Sequence, residues 1–236
     1  MWNSAENLGY HWQWSRIPRY LFRVEDGSLA AGQLIRGLGF TLKISGVSLV
    51  LALFTGFAVA FMRLSGSFTG RIFARGFLEI IRNTPLAVQI YLAYFVIGPV
   101  LGLGRFTSVA LALALYEGAY MSEIIRAGIV SIEKGQWEAA RALGMGTADT
   151  QRFVILPQAI RRVLPPLTGQ TISLFKDSAL ASLVSLNDLA MEARIIAADT
   201  FLVFEAWFAA AGLYLAVTLT LSMLMFQMEK RFKTAA

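Results

Sequence analysis

The chain has no cysteine and a single histidine, His11. Disulfides and thiolate metal sites are therefore excluded, and His11, set in a tryptophan-rich segment with no companion ligand, marks no metal site. A nucleotide-binding loop of the form GxxxxGK[ST] is also missing. The nearest approach, Gly66 to Arg71, reads GSFTGR and lacks both the spacing and the lysine that hold a phosphate. Neither a Ser/His/Asp or Cys/His set nor an HExxH helix occurs, and no carboxylates pair beside a cleft-forming loop. Covalent chemistry is not expected, so any energy source is a separate polypeptide or an ion gradient. No internal repeat, low-complexity tract or long linker divides the chain, which reads as one domain.

Charge is scarce, at 15% of residues, whereas 56% are hydrophobic, and the mean hydropathy is +0.59. A 236-residue soluble core cannot hide that much apolar surface, so lipid must be the solvent. The expected class is an all-α integral membrane protein. Runs of about 20 apolar residues suit a span, and roughly five occur: Phe40 to Met62, Thr84 to Leu103, Thr107 to Ile129, Val163 to Leu189 and Ala206 to Met228. The fourth is interrupted by Pro165, Pro166, Lys176 and Asp177 and can equally be two shorter helices.

The basic residues cluster at the ends of these runs, which makes the sequence pI of about 9.8 a matter of membrane topology rather than of nucleic-acid binding. With the first span running outside to inside, the inner segments hold Arg63, Arg71, Arg75, Arg82, Arg126, Lys134, Arg141, Arg152, Arg161 and Arg162, among others. The C-terminus and the loop after the third span then lie in the cytoplasm. The basic N-terminal segment opposes that bias. Residues 1–36 have no continuous apolar centre and no small-residue cleavage site, so they are not read as a signal peptide. Trp2, Tyr10, Trp12, Trp14, Tyr20 and Phe22 alternate there with Arg16, Arg19 and Arg23, as in an amphipathic helix at the outer interface, the alternative being a partly ordered tail. Residues 37–236 form the membrane domain. The outer segment Asn187 to Glu205 is acidic and reads either as a solvated loop or as a face for a soluble protein.

The most specific stretch is Glu138 to Pro157, EAARALGMGTADTQRFVILP, set between two apolar runs. Trp137 to Leu143 are good helix formers, and Gly144 is the residue expected just past a helix end. Ala139, Ala140 and Leu143 carry little bulk, a shape suited to another protein's groove, while Glu138 and Arg141 offer charges at its rim. Glu-Ala-Ala, Gly144 six residues after Glu138, and Leu156-Pro157 together resemble the cytoplasmic coupling motif of permease subunits of bacterial ABC importers. Arg82-Asn83-Thr84-Pro85 with Gln89, Ile132 to Gln136, Leu156 to Ala159, Leu164 to Pro166 and Ile172 to Ser178 resemble the polar amino-acid branch. The resemblance runs from about Gly37 to the C-terminus and implies a type I importer permease fold in the bacterial inner membrane. It further implies a second permease copy or a paralogous permease, two cytoplasmic ABC ATPase subunits that carry ATP and Mg and grip a coupling helix around residues 134–146, and a periplasmic amino-acid-binding protein. No cofactor is expected on this chain itself.

Ionisable groups at mid-span are costly unless paired or hydrated, and usually face a bundle interior or a water-filled cavity. Glu117 falls near the middle of the third span, and Lys176 and Asp177 near that of the fourth. A zwitterionic amino acid offers a carboxylate for a cation and an ammonium for an anion, so this trio can serve both. The competing reading is a buried Glu117–Lys176 ion pair that ties two helices and binds nothing. Tyr116, Tyr120 and Glu123 recur at i, i+4 and i+7 as a polar stripe, with Glu123 also placed to pair with Arg126. Gln89 and Ser178 complete the candidate path. Thr84 and Pro85 suit the cap and first turn of the second span, and Gly46, Gly56 and Ala60 suit close helix packing on the first. A proton-coupled carrier using Glu117 and Asp177, or an ABC permease for another small polar solute, are the rival functions.

Overall fold

The computed structural model describes residues 10–25 and 27–233. Residues 10–32 are not one amphipathic helix. They form a 3-10 turn at Trp14–Arg16, a single helical turn α1 (Pro18–Leu21), and an antiparallel hairpin of β1 (Phe22–Glu25) and β2 (Ser28–Ala31). Pro18 opens the short helix, Gly27 takes φ +76° in the hairpin turn, and the alternation around Arg23 suits extended backbone. Trp2 lies outside the described residues.

Helix α2 (Gln33–Leu64) starts four residues before the expected domain boundary and contains the first span. Helix α3 (Phe68–Arg82) follows, capped by Ser67, whose Oγ accepts from Gly70 N. The chain then bends by 103° into the second span, because Pro85 bars helical backbone at Thr84. Thr84 does not cap the new helix. Its Oγ1 donates to Ile80 O at 2.8 Å and closes α3 instead. The second span is α4 (Leu86–Tyr91), a π turn over Leu92–Ile97, and α5 (Gly98–Leu101). The third is α6 (Arg105–Val130).

After α6 come α7 (Lys134–Ala142), the short α8 (Thr147–Asp149), a second π turn over Thr150–Ile155, and α9 (Leu156–Asp177). Each π turn ends two residues before a proline, Pro99 or Pro157. A proline lacks the N–H of the i−4 ladder and crowds that carbonyl, and the wider turn relieves both defects without ending the helix. Pro165 and Pro166 lie inside α9. A 3-10 segment, Ser178–Val184, leads to α10 (Leu189–Thr200), and α11 (Val203–Lys233) is the last span.

By length and composition α2, α6 and α11 each qualify to cross a membrane, and α3 with α4 and α5 qualifies as one bent unit. The 22-residue α9 is long enough, at about 1.5 Å per residue, yet too polar to qualify. The expected fourth span is therefore displaced. It begins seven residues earlier and its α-helix stops at Asp177, and Ser185 in the left-handed region breaks the chain before Leu189.

The core lies where α2 crosses α6. A Cβ on Gly118 would meet Thr55 Cβ at 2.7 Å, and one on Gly56 would meet Met121 Cβ at 3.0 Å, so these glycines set the approach of the two helices. Ala60 is buried beside them, whereas Gly46 faces open space and takes no part. Ile44, Ile90, Leu113 and Ala181 close the bundle between α2, α4, α6 and the 3-10 segment. Helix α9 packs on α6 where Gly128 meets Val163. Only 6% of the α11 window is buried, so most of its surface is left for lipid or a partner.

The acidic segment Asn187 to Glu205 is not a solvated loop. Asp188 caps α10, accepting from Met191 N at 2.9 Å, and Asp188, Glu192 and Glu205 are all buried.

Candidate functional site

The segment expected to act in coupling is shaped by its backbone. Helix α7 ends in a Schellman motif, with Met145 N donating to Ala140 O at 3.1 Å and Gly144 N to Arg141 O at 2.9 Å. Gly144 sits at φ +77°, which a side chain would strain. The motif residues then divide by exposure. Ala140 is buried against the rest of the chain, while Glu138, Ala139, Leu143 and Gly144 are exposed, Leu143 by 82%. Small residues around an uncovered leucine give a flat, partly apolar surface with charges at its edge. Leu156 and Pro157 do not share that surface. They open α9, with Pro157 in its first turn, and both are exposed.

One side-chain tie and an apolar seat bind α7 to the base of α9, and a second tie binds α9 to Ser131, the C-cap of α6. Gln158 Nε2 donates to Gln136 Oε1 at 3.0 Å, and Arg162 Nη1 donates to Ser131 O at 2.6 Å. Ile132, Ile155 and Ala159 pack together beneath Trp137. From there α9 runs without a break to Asp177. The seat of α7 and the far end of α9 are thus joined by one continuous helix.

Those residues meet Glu117. Its side chain is fully buried on α6, Gln170 Nε2 of α9 donates to Oε2, and Oε1 has no partner. Asp177 lies within electrostatic reach of the same carboxyl. The predicted trio is therefore only partly assembled. Lys176 is exposed, and no ion pair joins it to Glu117 among the described residues. Gln170 takes the place the sequence reading gave to Lys176. Its spacing of seven residues from Asp177 puts both on one face of α9 and was the available signal.

The stripe on α6 forms as expected. Tyr116 Oη lies 3.4 Å from Tyr120 Oη, and the Arg82 guanidinium stands 5.5 Å above the Tyr120 ring. Glu123 pairs with Arg126 at 3.3 Å, with Arg63, and with Arg82 at 3.8 Å. The Arg63 and Arg82 partners come from the ends of α2 and α3, a convergence that no local spacing reveals.

Two candidate path residues have their polar groups engaged within the protein. Gln89 Nε2 donates to Ile81 O at 2.7 Å and Thr84 O at 3.0 Å, securing the α3–α4 bend, although the residue also lines an apolar cavity of about 400 Å³. Ser178 is fully buried. It donates to Phe175 O and accepts from Ser45 Oγ at 3.0 Å, tying α9 to α2.

Comparison with known proteins follows this division of parts. The family of binding-protein-dependent transport system inner membrane components matches residues 48–234. The chain is 38% identical over 203 residues to the glutamine transport system permease protein GlnP of Escherichia coli (strain K12), covering 85% of this chain and 93% of that one. It is 37% identical over 200 residues to the probable glutamine ABC transporter permease protein GlnP of Bacillus subtilis (strain 168), covering 83% and 91%. A crystal structure of an amino acid ABC transporter with histidines superposes with a TM-score of 0.79 at 39% identity, covering 84% and 94%. An inward-facing methionine ABC transporter shares the fold, with a TM-score of 0.69 at 18% identity and coverage of 85% and 96%. By the matched span and by these relatives, the chain belongs to the binding-protein-dependent transport system inner membrane components, the permease subunits of ABC importers.

Proposed function

We propose that the chain is the permease of an ATP-driven importer of polar amino acids, with the coupling loop and C-terminus in the cytoplasm. The observation that carries the reading is the continuity from the exposed Glu138–Gly144 surface through α9 to Gln170 and Asp177 beside Glu117. Partner ATPases holding ATP and Mg would grip α7, and a binding protein would deliver the substrate from the periplasmic side. The permease pairs with a second copy or a paralogue. The named glutamine permeases and the amino acid transporter support the substrate class. The Lys/Arg bias supports the orientation.

Glu117 is sealed in this state, so substrate reaches it only when α9 shifts against α6. The unpartnered Oε1 and the adjacent Asp177 carboxyl suit a substrate ammonium. Lys176, exposed beside them, suits a carboxylate, and Tyr120 lies one turn along the same helix. ATP-driven closure of the ATPases biases one of two packings of α9, which is conformational work and not covalent catalysis.

Proteoliposomes holding the permease, its ATPase and its binding protein test this. Uptake of labelled glutamine is expected only with internal or external ATP on the ATPase side. Uptake by this chain alone, driven by an imposed proton gradient, would instead assign Glu117 and Asp177 to a proton-coupled carrier.

A further inference from the structure

The N-terminal segment makes contacts that the proposed transport path does not use. It lies ahead of the matched residues 48–234, yet it makes specific contacts with the outer end of α11. Glu205, in the first turn of α11, is fully buried, and both its oxygens are taken by this segment: Tyr10 Oη donates to Oε2 and Gln13 N to Oε1 at 2.6 Å. Leaving such a carboxylate unpartnered would cost more than either bond returns. The segment is therefore a required partner of α11 and not an appendage.

The outer side of this junction is an aromatic surface. Trp12 stacks on Trp14 with centroids 5.8 Å apart and planes 5° from parallel, and Phe208 lies 6.4 Å from Trp12 and 6.3 Å from Trp14. These three line a slot, and each remains between 46% and 58% exposed. Arg16 and Arg19 follow on the next turns, their guanidiniums donating to Gln13 Oε1 and Tyr20 Oη within the segment. The slot is continuous with α11, the span with the least burial in protein. Stacked indoles beside arginines at the end of the helix least buried in protein match the headgroup boundary of a bilayer, where rings meet acyl chains and guanidiniums meet phosphates.

We propose that Tyr10 to Ala31 is a clip that seats α11 through Glu205, and that the slot of Trp12, Trp14 and Phe208 takes an anionic membrane phospholipid whose phosphate is drawn by Arg16 and Arg19. The clip exchanges the desolvation of Glu205 for two hydrogen bonds, and lipid covers the apolar ring surface that the chain leaves open.

The test uses the full chain with Trp2, Trp137 and Trp207 changed to phenylalanine, so that Trp12 and Trp14 report alone. In vesicles, their fluorescence is quenched by lipid brominated near the headgroup end of its acyl chains and resists aqueous iodide. Brominated phosphatidylglycerol at low mole fraction quenches more strongly than brominated phosphatidylcholine at the same fraction, by about fivefold in apparent affinity per arginine. Arg16→Gln with Arg19→Gln removes that preference and leaves the depth unchanged. Tyr10→Phe opens the pair to iodide. Iodide quenching without bromolipid quenching in the parent overturns the lipid slot, equal quenching by the two lipids overturns the anionic preference, and unchanged iodide access in Tyr10→Phe overturns the clip.

Discussion

The coupling segment and the acidic pair are built on opposite plans. At α7 the backbone satisfies itself through the Schellman closure, so Glu138, Ala139 and Leu143 are free to meet another protein. At Glu117 the side chains are consumed internally: one carboxylate oxygen is bonded by Gln170, the other is buried without a partner. The surface proposed for a partner is thus held by main-chain geometry. The site proposed to change state is held by side-chain bonds that a helix shift can exchange, and α9 spans the distance between the two.

Reversing the rim charge attacks the first plan. Glu138→Arg is expected to lower ATP-driven uptake by about tenfold or more, with membrane insertion intact; the check is uptake per ATP hydrolysed in proteoliposomes. Glu117→Gln attacks the second, since its amide carbonyl still accepts from Gln170 while the carboxyl that would receive a substrate ammonium is gone. Uptake should fall by about tenfold while ATP hydrolysis persists, the scale of one lost hydrogen bond to a charged group.

The link itself is tested at Gly128, where a Cβ would stand 2.1 Å from Val163 Cγ2. Gly128→Ala should cost about 1–3 kcal/mol through overpacking, and Val163→Ala should restore both the thermal midpoint and coupling. A smaller effect is expected at Arg162, whose bonds to Ser131 are exposed. Arg162→Gln should reduce coupling only a few-fold, since an exposed bond contributes about 1 kcal/mol at most.

A pH-dependent effect concerns the connection between α9 and α10. Burial pushes the Asp188 carboxyl up to about 7, against the opposing pull of the Met191 N–H. A carboxyl whose folded value is raised binds its proton more tightly when folded, so stability falls as pH rises from about 4 through about 7 and is level above. Asp188→Asn keeps a good cap and should flatten that slope in thermal melts.

Much of this was legible in the chain. Apolar runs located α2, α6 and α11, the glycine stop located the end of α7, and the i, i+4, i+7 stripe on α6 formed as read. Orientation around α9 was not legible. Lys176 and Asp177 are adjacent and so point about 100° apart on a helix, and which one faces Glu117 depends on how α9 rolls on α6. That roll is set by Gly128 against Val163, a contact between residues 35 positions apart in sequence. The pairing of Glu123 with Arg63 escaped for the same reason, as did the burial of Asp188 and Glu205, which polar composition disguised as a solvated loop.

The proposed cycle requires α7 and α9 to move together against the packed pair of α2 and α6. Because the chain has no cysteine, spin labels can be introduced in pairs at exposed positions Gly135 of α7 and Gly169 of α9, and Gly169 and Phe54 of α2. Pulsed electron resonance on the assembled transporter, free of nucleotide and then trapped in a closed nucleotide state, reads both distances. The distance from 135 to 169 should stay unchanged while that from 169 to 54 changes. A changed first distance with an unchanged second would rule out a joint movement of α7 and α9.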